Sequence, residues 1–555
     1  MKKYIIQVVL AMNLILCISC DKDLENINVN PNQPLEVTTN GLFNNTNKEL
    51  MTRTRRGMPS GRMALPWIQY SAQRNYTAED RYLFRGEVNN SLYTDLFLAV
   101  KGYKQIIDIV KNPANTAKVA TYGDPANQLA AARIMIAYVQ LQLVDMYGDV
   151  SYYSYATKDP DFQAMTLGTE QEITTPKFAP QEKIYTDLMN ELKEAATSIN
   201  MEATNVFNTG DFLFGSPLKL KKFANSLRLR IANRVKEVIP SAKMHIAELT
   251  ADPTSLMQSN EDNVGQKFQN DPVNPAPFYF DAFISRRNDF SPTNTFVELL
   301  KGETKTTHAN PFANMVDPRL FKMVAPISQL VKDDAGKETE VTLAFYYDAS
   351  KPEPSVEKND YVERTPDFYT GMPIGIIDAY TGSQADYACQ FGGIIYKADY
   401  TEILMEYAEV AFILAELGVD PQENYTNGIK ASMQKWNVAA TDIDAYLAQG
   451  VVVNQETILT QKYIALFLQP YEAWAEYRRT KYPKTLLFPG QSHELIAPGP
   501  QQQTDYTFTP ANGLTDLPER VTYPTDLNLV NKVNKDAAAA RIGGDLMNSK
   551  LIWAQ

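Results

Sequence analysis

Between Tyr400 and Gly418 the residues Leu404, Tyr407, Ala408, Ala411, Leu414 and Ala415 recur at the i, i+3, i+4, i+7 spacing of one helical face, with Gly418 as a C-cap. The run from Ala126 to Tyr147 also predicts a helix, ended by Gly148-Asp149. It is apolar nearly all round (Ile134, Met135, Tyr138, Val139, Leu141, Leu143, Val144), so it must pack against neighbours on more than one side. Further helices are predicted over about 88–110, 181–199, 218–238, 424–436 and 457–481. Ala195-Ala196, Ala224, Ala232, Ala465, Ala473 and Ala475 supply small residues where helices can approach closely. Helices arriving in consecutive pairs predict helix-turn-helix stacking of the tetratricopeptide type, although the repeat signature and a fixed spacing are absent.

The pattern breaks between Pro240 and about Gln390. Pro, Asn, Asp and aromatics accumulate there, as in Asn270-Asp271-Pro272-Val273-Asn274-Pro275, Phe278-Tyr279-Phe280, Phe345-Tyr346-Tyr347 and Tyr369-Thr370-Gly371-Met372-Pro373. Such density of turn residues predicts loops and short strands laid over a scaffold. Pro489 to Pro524 is similarly irregular. The predicted organisation is mainly α: one domain over 41–555, with a helical scaffold at about 41–239 and 396–488 and irregular insertions at about 240–395 and 489–524. Binding residues concentrate on loops held by rigid elements, which directs attention to the insertions.

The N-terminus adds a location. Met1-Lys2-Lys3 is a short basic start, Tyr4 to Leu16 is largely apolar, and Ile18-Ser19-Cys20 closes the segment. The run is too short to anchor by spanning a bilayer and predicts a signal peptide over 1–19. Ser19 is the small residue before the cut, and Cys20 is the expected lipidation site. Cys17 is the poorer candidate because bulky Leu16 precedes it, and ordinary secretion with cleavage nearby is the alternative. Residues 20–40, rich in Asn, Asp and Pro, predict an extended tether. No later segment approaches a membrane-spanning run, so attachment is expected through lipid alone.

Composition narrows the function classes. Of 555 residues 44% are hydrophobic, enough for a large core, and the formal charge is -12. Losing Lys2 and Lys3 with the leader makes the chain about two units more negative, which argues against nucleic acid as a partner. Of the three cysteines only Cys389 lies outside the N-terminal region, so no internal disulfide is expected, and Cys389 reads as an inert packed thiol. His245, His308 and His493 show no metal-ligand spacing. No calcium loop of the EF-hand type occurs, so a structural calcium would need an irregular site that the sequence cannot show. Ser216-Pro217-Leu218-Lys219 and Ser355-Val356-Glu357-Lys358 fit Ser-x-x-Lys, but the Lys-Thr-Gly and Ser-Asp-Asn partners are missing. Gly-x-Ser-x-Gly, a P-loop and His-Glu-x-x-His are missing as well. The expectation is a binder without cofactor rather than an enzyme. The cations Lys219, Lys221, Lys222, Arg228, Arg230, Arg234 and Lys236 are expected on a solvated outer helix face.

For a binder, aromatic faces matter: Tyr and Trp offer a flat apolar platform with a polar edge. There are 31 Tyr and only 4 Trp. The candidate ligand contacts are Trp67, Tyr70 and Tyr76 before the first strong helix, with Tyr346 and Tyr369 in the insertion. Arg74, Asn288 and Asp289 are the hydrogen-bonding candidates. Trp436 and Trp474, on predicted helices, are expected to be scaffold.

Several segments resemble the starch-utilisation D-type family of Bacteroidetes outer-membrane lipoproteins, which includes the RagB-like proteins. The residues are Gln461-Lys462-Tyr463-Ile464-Ala465-Leu466-Phe467 leading to Glu472-Ala473-Trp474-Ala475-Glu476-Tyr477-Arg478-Arg479-Thr480-Lys481, similar to the family's late helix pair. Lys481 stands where Gly is common. Tyr407-Ala408-Glu409, Leu143 to Val150, Val316-Asp317-Pro318-Arg319-Leu320, Gly371-Met372-Pro373-Ile374-Gly375 and the end from Val521 to Trp553 extend the likeness from Cys20 onward. The resemblance implies a right-handed scaffold of paired tetratricopeptide-like helices with a mixed, loop-rich insertion. It implies a lipid-anchored protein at the exterior of the outer membrane, acting as a lid on a TonB-dependent transporter. The implied cargo is an oligosaccharide, with an oligopeptide as the alternative; a helical scaffold that binds only other proteins is the reading from a different class.

Overall fold

Thr38 sits in extended backbone, and its hydroxyl accepts the Gly41 N–H at 3.2 Å to start α1 (Thr39–Arg55). The structure, a computed structural model, describes residues 37–554 apart from 167, 168, 170, 304, 327, 333–337 and 343–364. α1 lies along α2 (Gly86–Lys111), where Gly102 permits close approach: a Cβ there would meet the Thr46 hydroxyl at 2.6 Å. Asp124 accepts the Ala126 and Asn127 N–H groups and, with Pro125 in the first turn, launches α3 (Pro125–Tyr147). α3 packs against α2, α4 (Gln181–Thr197) and α5 (Pro217–Val235), and α6 (Ala242–Ala251) packs on α5. Hence its all-round apolar surface. By length and composition α3 would suffice to cross a membrane, contrary to the expectation that no later segment comes near this, yet 89% of its apolar window is buried inside the protein. It is a core helix.

From Ala251 to Tyr407 the helices α7 (Asn294–Lys301) and α8 (Asp378–Ala385) are short. Among the described residues all sheets are antiparallel pairs. β1 (Ser71–Gln73) pairs with β3 (Phe290–Pro292), and β2 (Val264–Lys267) with β8 (Thr401–Met405). β4 (Val324–Ala325) pairs with β7 (Gln390–Phe391), β5 (Ser328–Lys332) with β6 (Glu338–Thr342), and β9 (Ser492–Glu494) with β10 (Asp505–Thr507). The Gly371-Met372-Pro373 run is a clasp: Met372 donates to the Pro292 carbonyl at 2.8 Å, and a Cβ on Gly371 would stand 2.1 Å from the Thr293 carbonyl oxygen. Arg319, fully buried, bonds Asp317 at 2.9 Å, Ser432 at 2.8 Å and Gln461 at 2.5 Å, fastening the insertion to the C-terminal helices.

The segment predicted as helix over 400–418 divides into β8 and then α9 (Tyr407–Glu416), because Glu402 and Leu404 alternate inward on a strand before the helical period begins. α10 (Pro421–Lys435) and α11 (Ala440–Ala448) follow. The segment 457–481 is two helices, α12 (Gln455–Ala465) and α13 (Pro470–Thr480), broken where Leu468 takes φ +68° and Pro470 enters the first turn of α13. Lys481 caps α13 at φ +56°, the left-handed position for which glycine is suited, and its ammonium pairs with Glu519 at 2.6 Å. α14 (Lys532–Arg541) is the last helix among the described residues.

Of the cations expected on a solvated helix face, Lys219, Lys221, Lys222 and Lys236 stay partly exposed, but the arginines do not. Arg228, Arg230 and Arg234 are buried, because α4, α6 and α9 cover this helix on several sides. Arg230 donates to Glu409 at 2.6 Å, Arg234 to Asp145 and Glu472, Lys462 to Glu476 at 2.7 Å, and Arg479 to Glu416 and Glu476, both at 2.7 Å. Burial opposes ionisation of Glu476, but Arg479, Lys462 and Arg234 outweigh it and hold the carboxyl well below the usual carboxylate range. The network joins α3, α5, α9, α12 and α13.

Candidate ligand-binding surface

The proposed aromatic platform divides. Trp67 and Tyr70 have no exposed surface. Trp67 meets Trp474 edge-on at 5.2 Å; Tyr70 stacks on Tyr463 at 4.6 Å and donates to the Tyr463 carbonyl at 2.5 Å. Tyr369 is 2% exposed and packs against Phe321 at 5.4 Å. These three are core side chains and cannot meet a ligand in this conformation, which corrects the expectation for them. Tyr346 and Cys20 lie outside the described residues, as does Ser355-Val356-Glu357-Lys358.

Arg74, Tyr76, Asn288 and Asp289, more than 200 positions apart in sequence, come together by strand pairing. The β1–β3 ladder sets Gln73 opposite Phe290, and the Arg74 N–H donates to the Asp289 carbonyl at 2.7 Å. Both strands therefore end at one edge and release their following or preceding loops to the same side. Tyr76 is 60% exposed. Tyr76 and Arg286, one on each loop, hold φ +62° and +55°, backbone that bulky residues seldom adopt without support from their surroundings. That support is visible: the Thr77 N–H and hydroxyl both donate to Asp378 at the start of α8, at 2.8 and 2.9 Å.

The polar groups are held in a fixed arrangement. Asp289 accepts from Arg287 Nε at 2.9 Å and from Arg62 at 3.2 Å, and the hydrogen bond to Asp289 raises Arg287 above the usual guanidinium value. Asn288 accepts from the Tyr396 hydroxyl at 2.8 Å and donates to Gln390 at 3.1 Å. Arg74 donates to Ser291 at 3.2 Å. Beneath the loop, Asp80 accepts from the Gln73 N–H at 2.7 Å; burial pushes its carboxyl up to about 7, although the bonds from Gln73 oppose the rise. Residues that sequence reasoning did not single out here are Arg286, Arg287, Asp378, Gln390 and Tyr396. Each depends on a pairing across the insertion that no periodicity signals.

The result is an exposed tyrosine amid positioned amide, guanidinium and carboxylate groups. Such an arrangement can stack an apolar sugar face and hydrogen-bond hydroxyls or peptide groups. Among the described residues, no group of three or more His, Cys, Asp or Glu side chains is placed to hold a metal ion. Cys389 is buried, with the Thr370 N–H donating to its sulfur at 3.1 Å.

A paired-helix frame carrying a polar, aromatic surface on an irregular insertion is the build of a scaffolded binding protein. The sequence matches the family model described as starch-binding, associating with outer membrane, over residues 31–498, and that of the SusD and RagB outer membrane lipoproteins over residues 452–554. The chain belongs to the SusD-like family. Its fold is similar to that of a chitin-binding protein (TM-score 0.67, 21% identity, 93% of this chain and 100% of the other). It is also similar to a SusD homolog from Parabacteroides distasonis (0.68, 20%, 94% and 98%) and to a chitin-binding SusD homolog from Flavobacterium johnsoniae (0.65, 20%, 93% and 98%). The sequence matches no curated protein.

Proposed function

We propose that this protein captures an oligosaccharide at the cell surface and delivers it to a TonB-dependent outer-membrane transporter, held to the membrane by lipid on Cys20. The observation that carries the ligand side is the convergence of Tyr76, Arg74, Asn288 and Asp289 at one strand edge in a member of a family described as starch-binding. Membership in the family supports the membrane and transporter side. The chitin-binding names of two fold neighbours make chito-oligosaccharides a sensible first probe beside malto-oligosaccharides.

Cargo has to be released, so binding should be micromolar, about -5 to -8 kcal/mol. Titration calorimetry against oligosaccharides of increasing length, with oligopeptides as the competing class, tests this. Tighter binding of longer glycans supports the reading; peptide binding without glycan binding replaces it with the oligopeptide alternative. Capture of the native membrane complex tests the partner. A chain that binds neither ligand class and co-purifies without a transporter is better described as a protein–protein scaffold.

A further inference from the structure

A cleft lies beside the Gly393–Tyr396 turn. Tyr396 of this turn reaches Asn288, whereas Ile394 and the following Lys397 line the cleft. Its volume is about 320 Å³, within the range of ligand clefts. The β2–β8 register builds one wall. Lys267 pairs with Thr401 and Gly265 with Ile403, so by alternation these residues share a face, while Glu402 and Leu404 turn inward. The C-terminal end of α10 supplies Lys435 and Trp436 as another wall.

The charges there are unlike those of the chain as a whole, which carries -12. Lys267 and Lys397 are exposed, and neither forms an ion pair with another described residue. Lys435 is already neutralised by Glu406 at 2.6 Å and sits 5.2 Å over the Trp436 ring. Asp399 is the exposed carboxylate of the cleft. Trp436 is 2% exposed, and its indole N–H has no hydrogen-bond partner. The cleft thus offers two uncommitted ammonium groups, one carboxylate able to accept hydroxyls, and the partly exposed ring of Tyr400.

We propose that this cleft is an anion-selective subsite, in which Lys267 and Lys397 hold the carboxylate or sulfate of an acidic sugar while Asp399 accepts its hydroxyls. The inference rests on the glycan reading above and names a class of glycan for it. Two ammonium groups facing one anion favour the charged unit over its neutral counterpart, and salt weakens the preference because the groups are exposed.

The test uses the full-length protein in detergent and four probes: tetragalacturonate, its methyl ester, a sulfated chondroitin tetrasaccharide, and a neutral chito-oligosaccharide. Calorimetry at low salt should show at least one anionic probe binding about tenfold more tightly than the methyl ester, with the ratio shrinking toward one at high salt. Whether tetragalacturonate or the sulfated probe gains more tells carboxylate from sulfate. The double variant Lys267→Ala, Lys397→Ala should abolish this ratio and leave methyl-ester binding and melting unchanged. Equal binding of charged and neutral probes, or a preference that survives the double variant, overturns the inference while leaving the glycan reading intact. If the chito-oligosaccharide and every other glycan fail to bind, the glycan reading falls and takes this subsite with it.

Discussion

At the scale of single residues, burial separates tyrosines and tryptophans that the sequence presents alike. Tyr70 and Tyr76 are six positions apart; one is sealed between Tyr463 and Phe296, the other stands in solvent. Alanine at Tyr76 should weaken glycan binding about tenfold with no change in melting, read by calorimetry and thermal unfolding. Alanine at Trp67 or Trp474 should instead cost about 3–5 kcal/mol of stability, since each empties a large volume in a close-packed core. A Trp67→Ala variant that melts normally but loses ligand would return Trp67 to the binding surface. Titration belongs to this scale too. Burial pushes Asp80 from 3.8, and Glu402 from 4.5, up to about 7. A carboxyl whose folded value is raised takes up its proton more readily in the native state, so its contribution is full at acid pH and is lost as pH rises to about 7. Asp80→Asn, which keeps an oxygen acceptor for the Gln73 N–H, should flatten the fall in stability between about pH 4 and 7 relative to the parent. An unchanged pH profile of chemical denaturation in Asp80→Asn would count against that assignment.

At the scale of elements, the helices follow the apolar period closely where each has a covered and an open face. The prediction over 88–110 corresponds to α2 (Gly86–Lys111), and that over 181–199 to α4 (Gln181–Thr197). Period alone fails in two places. At 400–405 a strand precedes the helix, and inward residues two apart mimic part of a helical stripe. At 466–469 the apolar run continues through a break fixed by backbone at Leu468 and by Pro470. The arginines of α5 depart for another reason: a charged side chain on a helix is expected in water, whereas each of these arginines finds a carboxylate on a different helix. Breaking one such pair strands its partner in the core. Glu409→Ala should therefore destabilise by about 3–5 kcal/mol, while Lys532→Ala, which breaks an exposed pair within α14, should change stability by less than about 1 kcal/mol. Urea unfolding of the two variants side by side checks the contrast.

At the scale of the whole molecule, the proposed lipid anchor on Cys20 gives the clearest cellular prediction. Cys20→Ser should move the protein from the membrane fraction to the soluble one and abolish acyl labelling; retention with label would shift the anchor to Cys17. The sequence by itself determined the mainly helical character, the irregular insertion and the resemblance to the family, because these rest on local period, turn residues and short contiguous motifs. It also brought four residues of the Tyr76 surface to notice, Arg74, Tyr76, Asn288 and Asp289, without any sign that they meet. Only the tertiary structure decided that. The β1–β3 ladder closes a separation of more than 200 residues, and which aromatic faces solvent depends on what the rest of the chain places over it. The same holds for Lys267 and Lys397, set around one cleft by a strand register and a turn. Local pattern fixes the period of an element, but contact between distant residues is set by how elements cover one another, and neither burial nor charge pairing has a signature within a single stretch of chain.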